Sequence, residues 1–280
     1  MYQPDLLSNR NILVTGGGTG LGLALTTRFA ALGASVIICG RRKEVLDAAA
    51  ASVNEKVNRN AVTARECDIR DAGMVDTMLS AIWEDGPLDA VVNNAAGNFI
   101  AKTEGLSPRA INAVLNIVAS GTAYVTVGCG QRWLSSGNQG NVLSIATTYA
   151  ETGSAYVVPS AMGKAAVVAM TRSLAVEWGS RGIRLNAIAP GPFPTEGAWR
   201  RLVPNPELAN TLETKNPLGR SGRPEELADL ASFLLSDMAK YINGEVITID
   251  GGEWLQGAGQ FNFLSKLTDE EWAAVRQAGR

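Results

Sequence analysis

Histidine is absent from this sequence. That removes a Ser-His-Asp triad, a Cys-His pair and every histidine-ligated metal from consideration. Acid–base work is left to Tyr, Lys, Asp, Glu or Ser. Cysteine is scarce: Cys39, Cys67 and Cys129 form an odd set with no C-x-x-C spacing. This argues against a disulfide framework or a zinc site and fits a reducing compartment; no metal is expected. An excess of one charge is missing too. The formal net charge is -2, so no basic field exists to hold nucleic acid or an anionic membrane, and an anionic ligand needs a local basic pocket. No run of about twenty apolar residues reads as a membrane span. The stretch from Met1 to Arg10 has neither an apolar signal core nor an Arg-rich transit pattern. The expected setting is cytoplasmic, with neither nucleic acid nor membrane as partner.

The sequence does contain a sustained alternation. Of 280 residues, 46% are hydrophobic, which suits one large α/β domain over 1–280, although the length alone could hold two. Short β-branched or apolar runs occur at Ile12–Val14, Ser35–Cys39, Leu88–Val92, Val142–Ile145, Ile183–Ile188 and Glu245–Ile249, with a more polar candidate at Ala61–Cys67. Between them lie helix-compatible stretches at Leu21–Leu32, Val45–Val57, Met74–Trp83, Pro108–Leu134, Pro159–Trp178 and Glu225–Leu235. Strands alternating with helices predict a single Rossmann-type, doubly wound, seven-stranded parallel sheet with helices on both faces. The prolines at 190, 192, 194, 204 and 206 rule out a long regular helix there. The region of about 190–215 follows a strand and is read as a substrate-covering loop at the carboxyl edge of the sheet. In the tail, 253–280, a short helical signal at Thr268–Arg276 is read as serving assembly.

The first strand runs directly into Thr15-Gly16-Gly17-Gly18-Thr19-Gly20-Leu21-Gly22, followed at once by a helix pattern. Glycines permit a tight turn and close approach of the backbone to a ligand. The helix N-terminus then offers free N–H groups and a positive dipole end to a pyrophosphate. Gly16, Thr19, Gly20, Leu21 and Gly22 are therefore the expected cofactor cradle. A carboxylate after the second strand would hold the ribose 2′-hydroxyl of NAD, but the chain reads Cys39-Gly40-Arg41-Arg42. An arginine there favours the 2′-phosphate of NADP(H), with Arg41 the first candidate and Arg42 the second. Asp68 is expected to accept from the adenine amino group. Asn94, Ala95 and Gly97, within Asn93-Asn94-Ala95-Ala96-Gly97, leave small residues where the ribose passes.

These stretches, together with Pro190-Gly191 and Asp250-Gly251-Gly252, resemble the short-chain dehydrogenase/reductase superfamily over nearly the whole chain. One departure matters. The usual Y-x-x-x-K pair is missing its tyrosine: Lys164 is in place, but Ser160 stands four residues before it. Thr147 occupies the usual serine position and Val118 that of the usual helix asparagine. The substitute pattern resembles the mitochondrial type of 2,4-dienoyl-CoA reductase. It is carried by Asn94 through Phe99, Tyr149-Ala150-Glu151-Thr152-Gly153, Val157-Val158-Pro159-Ser160-Ala161, Ala175 through Gly179 and Pro190-Gly191-Pro192, with a similar tail from Phe261-Asn262 to Glu271-Trp272.

The resemblance implies NADPH-dependent reduction of a 2,4-dienoyl-CoA to a trans-3-enoyl-CoA, an auxiliary step in oxidation of unsaturated fatty acids, by a homotetramer. It implies that the Tyr149 hydroxyl and the Asn98 amide donate to the thioester oxygen, and that Lys164 holds the nicotinamide ribose. Pro190, Gly191 and Thr195 would meet the nicotinamide. Phe99, Thr147 and Ser160 would line the substrate site, Ser160 either bonding near the reacting atoms or acting as a structural cap. Tyr156 is the rival tyrosine. For the acyl-CoA phosphates the resemblance offers Arg70, with Arg109, Arg200 and Arg201 as weaker choices. The competing functions are an ordinary carbonyl or 3-oxoacyl thioester reductase and a catalytically silent NADP-binding sensor.

Overall fold

The computed structural model describes residues 2–195 and 215–278. All seven strands are parallel and stand in the order β3-β2-β1-β4-β5-β6-β7. In sequence they are β1 Asn11–Thr15, β2 Ser35–Gly40, β3 Val62–Glu66, β4 Ala90–Asn93, β5 Gly140–Ile145, β6 Ile183–Pro190 and β7 Val246–Ile249. The winding direction reverses between β1 and β4. That topological switch opens a crevice at the carboxyl ends of the strands.

Period-two alternation divides the sheet into two buried faces. Ile12 and Val14 of β1 join one core with Leu25 and Phe29 of α1 (Gly20–Ala31), Leu46 and Val53 of α2 (Lys43–Val57), and Leu227 and Leu234 of α8 (Pro224–Leu235). Leu13, the residue between them, joins the opposite core. There it packs with Val75 and Leu79 of α3 (Ala72–Asp85), Val125 and Trp133 of α5 (Thr122–Ser136), and Trp178 of α7 (Val158–Gly179). Glycines allow the closest of these contacts. A Cβ on Gly130 would overlap the Trp178 ring, and one on Gly140 would overlap Trp133.

The stretch expected as one helix from Pro108 is divided. α4 (Pro108–Leu115) passes through a π-helical turn, Asn116–Gly121, before α5 begins. Two tight contacts coincide with this widened turn. A Cβ on Gly121 would stand 2.8 Å from Ile69, and one on Gly163 of α7 would stand 2.9 Å from Val118. The π turn inserts a residue into the helix where it crosses these neighbours. By length and composition Pro108–Ser136 would also pass for a membrane span, which the sequence reading did not register. Its Val125, Cys129 and Trp133 are instead part of the core.

Two short helices, α6 (Tyr149–Thr152) and α9 (Glu253–Ala258), complete the site's surroundings, and a third, α10 (Asp269–Ala278), ends the described chain. α9 follows β7 through Gly251 and Gly252, both in the left-handed region at φ 67° and 87°. Only glycine takes that conformation cheaply. This turn folds the chain back over the carboxyl edge of the sheet.

Candidate active site

Two adjoining cavities lie along that edge. The first, of about 340 Å³, is lined by Gly16, Gly18, Thr19, Gly20, Leu21, Gly22, Arg41, Arg42, Asp68, Asn94, Ala95 and Thr195, among others. Its floor is the turn between β1 and α1. Gly16 has φ 67° and donates its N–H to the Cys39 carbonyl at 2.7 Å. Asn94 ties the next strand to this turn, its Nδ2 donating to the carbonyls of Thr15 at 3.0 Å and Gly16 at 3.3 Å. The Thr15 hydroxyl accepts from the N–H groups of Asn94 and Ala95.

The cradle fits a dinucleotide phosphate. Thr19, the N-cap of α1, makes no side-chain cap bond, so the first-turn N–H groups of α1 lack a capping oxygen and are available to an anion. A Cβ on Gly22 would overlap the Gly16 carbonyl oxygen and stand 2.6 Å from Asn94 Nδ2. Arg41 and Arg42 both line the cleft beyond β2, and neither is ion-paired among the described residues.

The second cavity, of about 780 Å³, holds the reactive groups. β4 and the segment after it bring Asn94, Gly97 and Asn98. β5 and α6 bring Thr147 and Tyr149, and α7 brings Ser160 and Lys164. β6 and the segment after it bring Pro190 and Gly191. Asn98 is held in one orientation: its Oδ1 accepts from the Phe99 N–H at 2.9 Å, which turns Nδ2 toward the Tyr149 hydroxyl at 3.3 Å. The same hydroxyl lies 3.1 Å from Ser160 Oγ. Asn98, Tyr149 and Ser160 thus converge on one point, although 51 positions separate the first two. Ser160 bonds to the tyrosine rather than serving only as a cap.

Lys164 is 8% exposed and donates from Nζ to the Ile145 carbonyl at the end of β5. Burial drives its pKa down to about 8. A buried amine losing its charge more readily than a free one is the expected cost of desolvation.

Several expected residues stand elsewhere. Arg70 lines neither cavity. Its guanidinium is joined to Asp68 through Nε at 2.9 and 3.0 Å and through Nη2. The two residues sit only two positions apart in a tight connection, so each neutralises the other. Asp68 still lines the dinucleotide cleft, with its carboxyl held below the usual range chiefly by the Arg70 hydrogen bond. Phe99 points into a small core with Val114, Val118 and Val167; it serves the site through its backbone N–H. Thr195 lies over the phosphate turn, its Oγ1 3.4 Å from where a Cβ on Gly20 would be, and lines the first cavity rather than the second. Tyr156, the rival tyrosine, is 58% exposed and lines neither cavity. Arg109 is exposed on the first turn of α4 and also lines neither. Arg200, Arg201 and most of the 190–215 loop fall outside the described residues.

The sequence reading missed one wall of the second cavity. Glu253, Trp254, Gly257 and Ala258 of α9 line it, as do Thr152, Gly153 and Ser154. The expectation for the tail concerned only Thr268–Arg276, as an assembly element, and gave Glu253–Ala258 no role. The available signal was the glycine pair after β7: a parallel last strand must end at the same edge as the others, and a reversal there brings the next residues over the site.

A family model described as enoyl-(acyl carrier protein) reductase matches residues 16–253. A Caenorhabditis elegans protein named "Probable 2,4-dienoyl-CoA reductase 3", (3E)-enoyl-CoA-producing, is 43% identical over 287 aligned positions, covering 100% of this chain and 92% of its own. A Bacillus subtilis protein named "Probable 2,4-dienoyl-CoA reductase", (2E)-enoyl-CoA-producing, is 42% identical, covering 89% of this chain and 98% of its own. The crystal structure of a Bacillus anthracis short chain dehydrogenase superposes with a TM-score of 0.78 at 42% identity, covering 88% of this chain and 96% of its own.

Proposed function

The chain belongs to the short-chain dehydrogenase/reductase family, and from that premise we propose that this oxidoreductase reduces a 2,4-dienoyl-CoA to a trans-3-enoyl-CoA at the expense of NADPH. The observation that carries the reading is the convergence of Asn98 Nδ2, Tyr149 OH and Ser160 Oγ in one cavity. Ser160 occupies the place where a carbonyl reductase keeps its tyrosine, so the site has donors for an oxygen that gains charge rather than a single acid for an alkoxide.

When bound, the nicotinamide supplies a hydride to Cδ of the conjugated acyl group. Negative charge then develops on the thioester oxygen. Tyr149 and Asn98 donate hydrogen bonds to that oxygen, and their preorganised geometry favours the transition state over the ground state. Ser160 orients the Tyr149 hydroxyl. Lys164, held by the Ile145 carbonyl, would bond the nicotinamide ribose hydroxyls. Protonation of the dienolate at Cα leaves the double bond at position 3.

NADPH is favoured over NADH by Arg41 and Arg42, two cations that line the cleft beyond β2 and form no ion pair among the described residues. A homotetrameric assembly is supported by apolar side chains exposed on long helices, Tyr124 and Val127 on α5 and Val176 on α7. A cytoplasmic setting is consistent with three free cysteines.

The test is NADPH oxidation with 2,4-hexadienoyl-CoA, compared with NADH and with a 3-oxoacyl thioester. Rapid oxidation of NADPH by the dienoyl substrate is expected. A folded, NADPH-binding protein that turns over only the 3-oxoacyl thioester would replace this reading with the carbonyl-reductase one.

A further inference from the structure

Reduction of a dienoyl thioester needs a proton on carbon as well as a hydride, and the donors described so far are committed elsewhere. Tyr149 is shared between Asn98 and Ser160, and Lys164 donates to Ile145. The carbon that receives the proton sets the product: one relative is named for a (3E) product and another for a (2E) product. Protonation of the dienolate at Cα gives the first and protonation at Cγ gives the second.

Among the described residues lining the catalytic cavity, Glu253 is the one carboxyl group. It is the first residue of α9, half-buried, and its side chain accepts no hydrogen bond from a described residue. Its Oε2 lies 3.3 Å from where a Cβ on Gly191 would stand, which places the carboxyl against the Pro190-Gly191 turn on the cavity wall. Gly191 has no side chain to cover it. The charged groups that face Glu253 are Asp250, from the turn it follows, and Lys215; Lys164 and Tyr149 line the same cavity.

We propose that Glu253 is the acid that delivers the proton to Cα of the substrate. This rests on the dienoyl-CoA reading above. In the step, the Glu253 O–H bond breaks and its electron pair stays on the carboxylate. The dienolate π electrons form the new C–H bond at Cα, and the thioester carbonyl is restored. The carboxylate recovers its proton from water at the open mouth of the cavity. The group is suited to this work: burial and the neighbouring Asp250 raise its pKa, against a smaller opposing pull from Lys215. An acid whose pKa moves toward the operating pH transfers protons best.

The test is Glu253→Gln in the full-length protein, followed by stopped flow with NADPH and 2,4-hexadienoyl-CoA. NADPH-binding titration serves as the check on folding. Hydride transfer in the first turnover should be little changed, while the steady-state rate falls about 10²-fold, so that a burst of NADPH oxidation appears. A solvent deuterium isotope effect should be carried by the slow phase. The wild-type kcat should fall as pH rises through the pKa of Glu253, and the variant should lose that limb. Glu253→Asp, which keeps the acid, should recover part of the rate.

A variant within twofold of wild type, with the same pH profile and no burst, would overturn the proposal and leave Glu253 as a charge at a helix start. A wild type inactive on every dienoyl-CoA would instead remove the substrate reading, and this inference with it.

Discussion

Asn98 Nδ2 lies 3.3 Å from the Tyr149 hydroxyl, and the amide's other end is fixed by the Phe99 N–H. The amide cannot turn over without losing that bond, so its donor end is preset toward the Tyr149 hydroxyl, where the proposed function puts the thioester oxygen. Loss of one such donor raises a barrier by about 2.7–4 kcal/mol. Tyr149→Phe should therefore lower kcat about 10²- to 10³-fold with NADPH affinity retained. Asn98→Ala should do likewise, and the double variant should lose less than the sum, because in the proposed function the two donors act on one oxygen. Steady-state kinetics of the three variants checks this.

Cofactor choice should follow the two arginines beyond β2. A charge-assisted hydrogen bond contributes about 1.5–3 kcal/mol, so replacing the arginine that holds the 2′-phosphate should weaken NADPH about ten- to a hundredfold. NADH should be unaffected. Comparing Arg41→Ala with Arg42→Ala in a fluorescence titration assigns the contact, and an unchanged NADPH affinity in both would remove the NADP argument.

Lys164 makes stability depend on pH in a definite direction. Burial lowers its pKa from the ordinary 10.5 to about 8. Between those values the unfolded chain holds the proton and the folded chain does not, so this residue's contribution to stability rises with pH across that window. Below about 8 the folded state must carry a buried charge. Urea unfolding of the cofactor-free protein at pH 7.5 and 9.5, against Lys164→Met, should show a rise in wild type that the variant lacks.

Gly22 is a steric prediction. A Cβ there would overlap the Gly16 carbonyl and press on the Asn94 amide, both of them backbone or anchored groups. Gly22→Ala should cost at least about 1–3 kcal/mol and abolish NADPH binding, because the turn that presents the α1 N–H groups has to open. Calorimetry and cofactor titration check the two effects separately.

The parallel sheet was legible in the chain because both of its faces are buried. The central strands must then be short apolar runs such as Ile183–Ile188, with edge strand β3 more polar, and each crossover a helix, so the alternation pointed to the parallel winding. The phosphate turn was legible for a similar local reason: Thr15 through Gly22 are contiguous, and the glycines they require have no substitute. Tyr149 was expected only through the family resemblance, which sets the tyrosine fifteen residues before Lys164.

Patterns among near neighbours in the chain carried the winding and the phosphate cradle, while the expected reacting groups, Tyr149 and Asn98, came from the family resemblance. Only the tertiary structure decided which of these groups meet. Asn98 and Ser160 reach Tyr149 from the segment after β4 and from α7, and Glu253 lines the same cavity from the start of the tail. Arg70 is withdrawn into an ion pair with Asp68, and Phe99 into the core. The physical reason is common to all of them. A side chain's direction is set by the packing of elements far apart in sequence, and no local pattern encodes where a neighbouring strand ends.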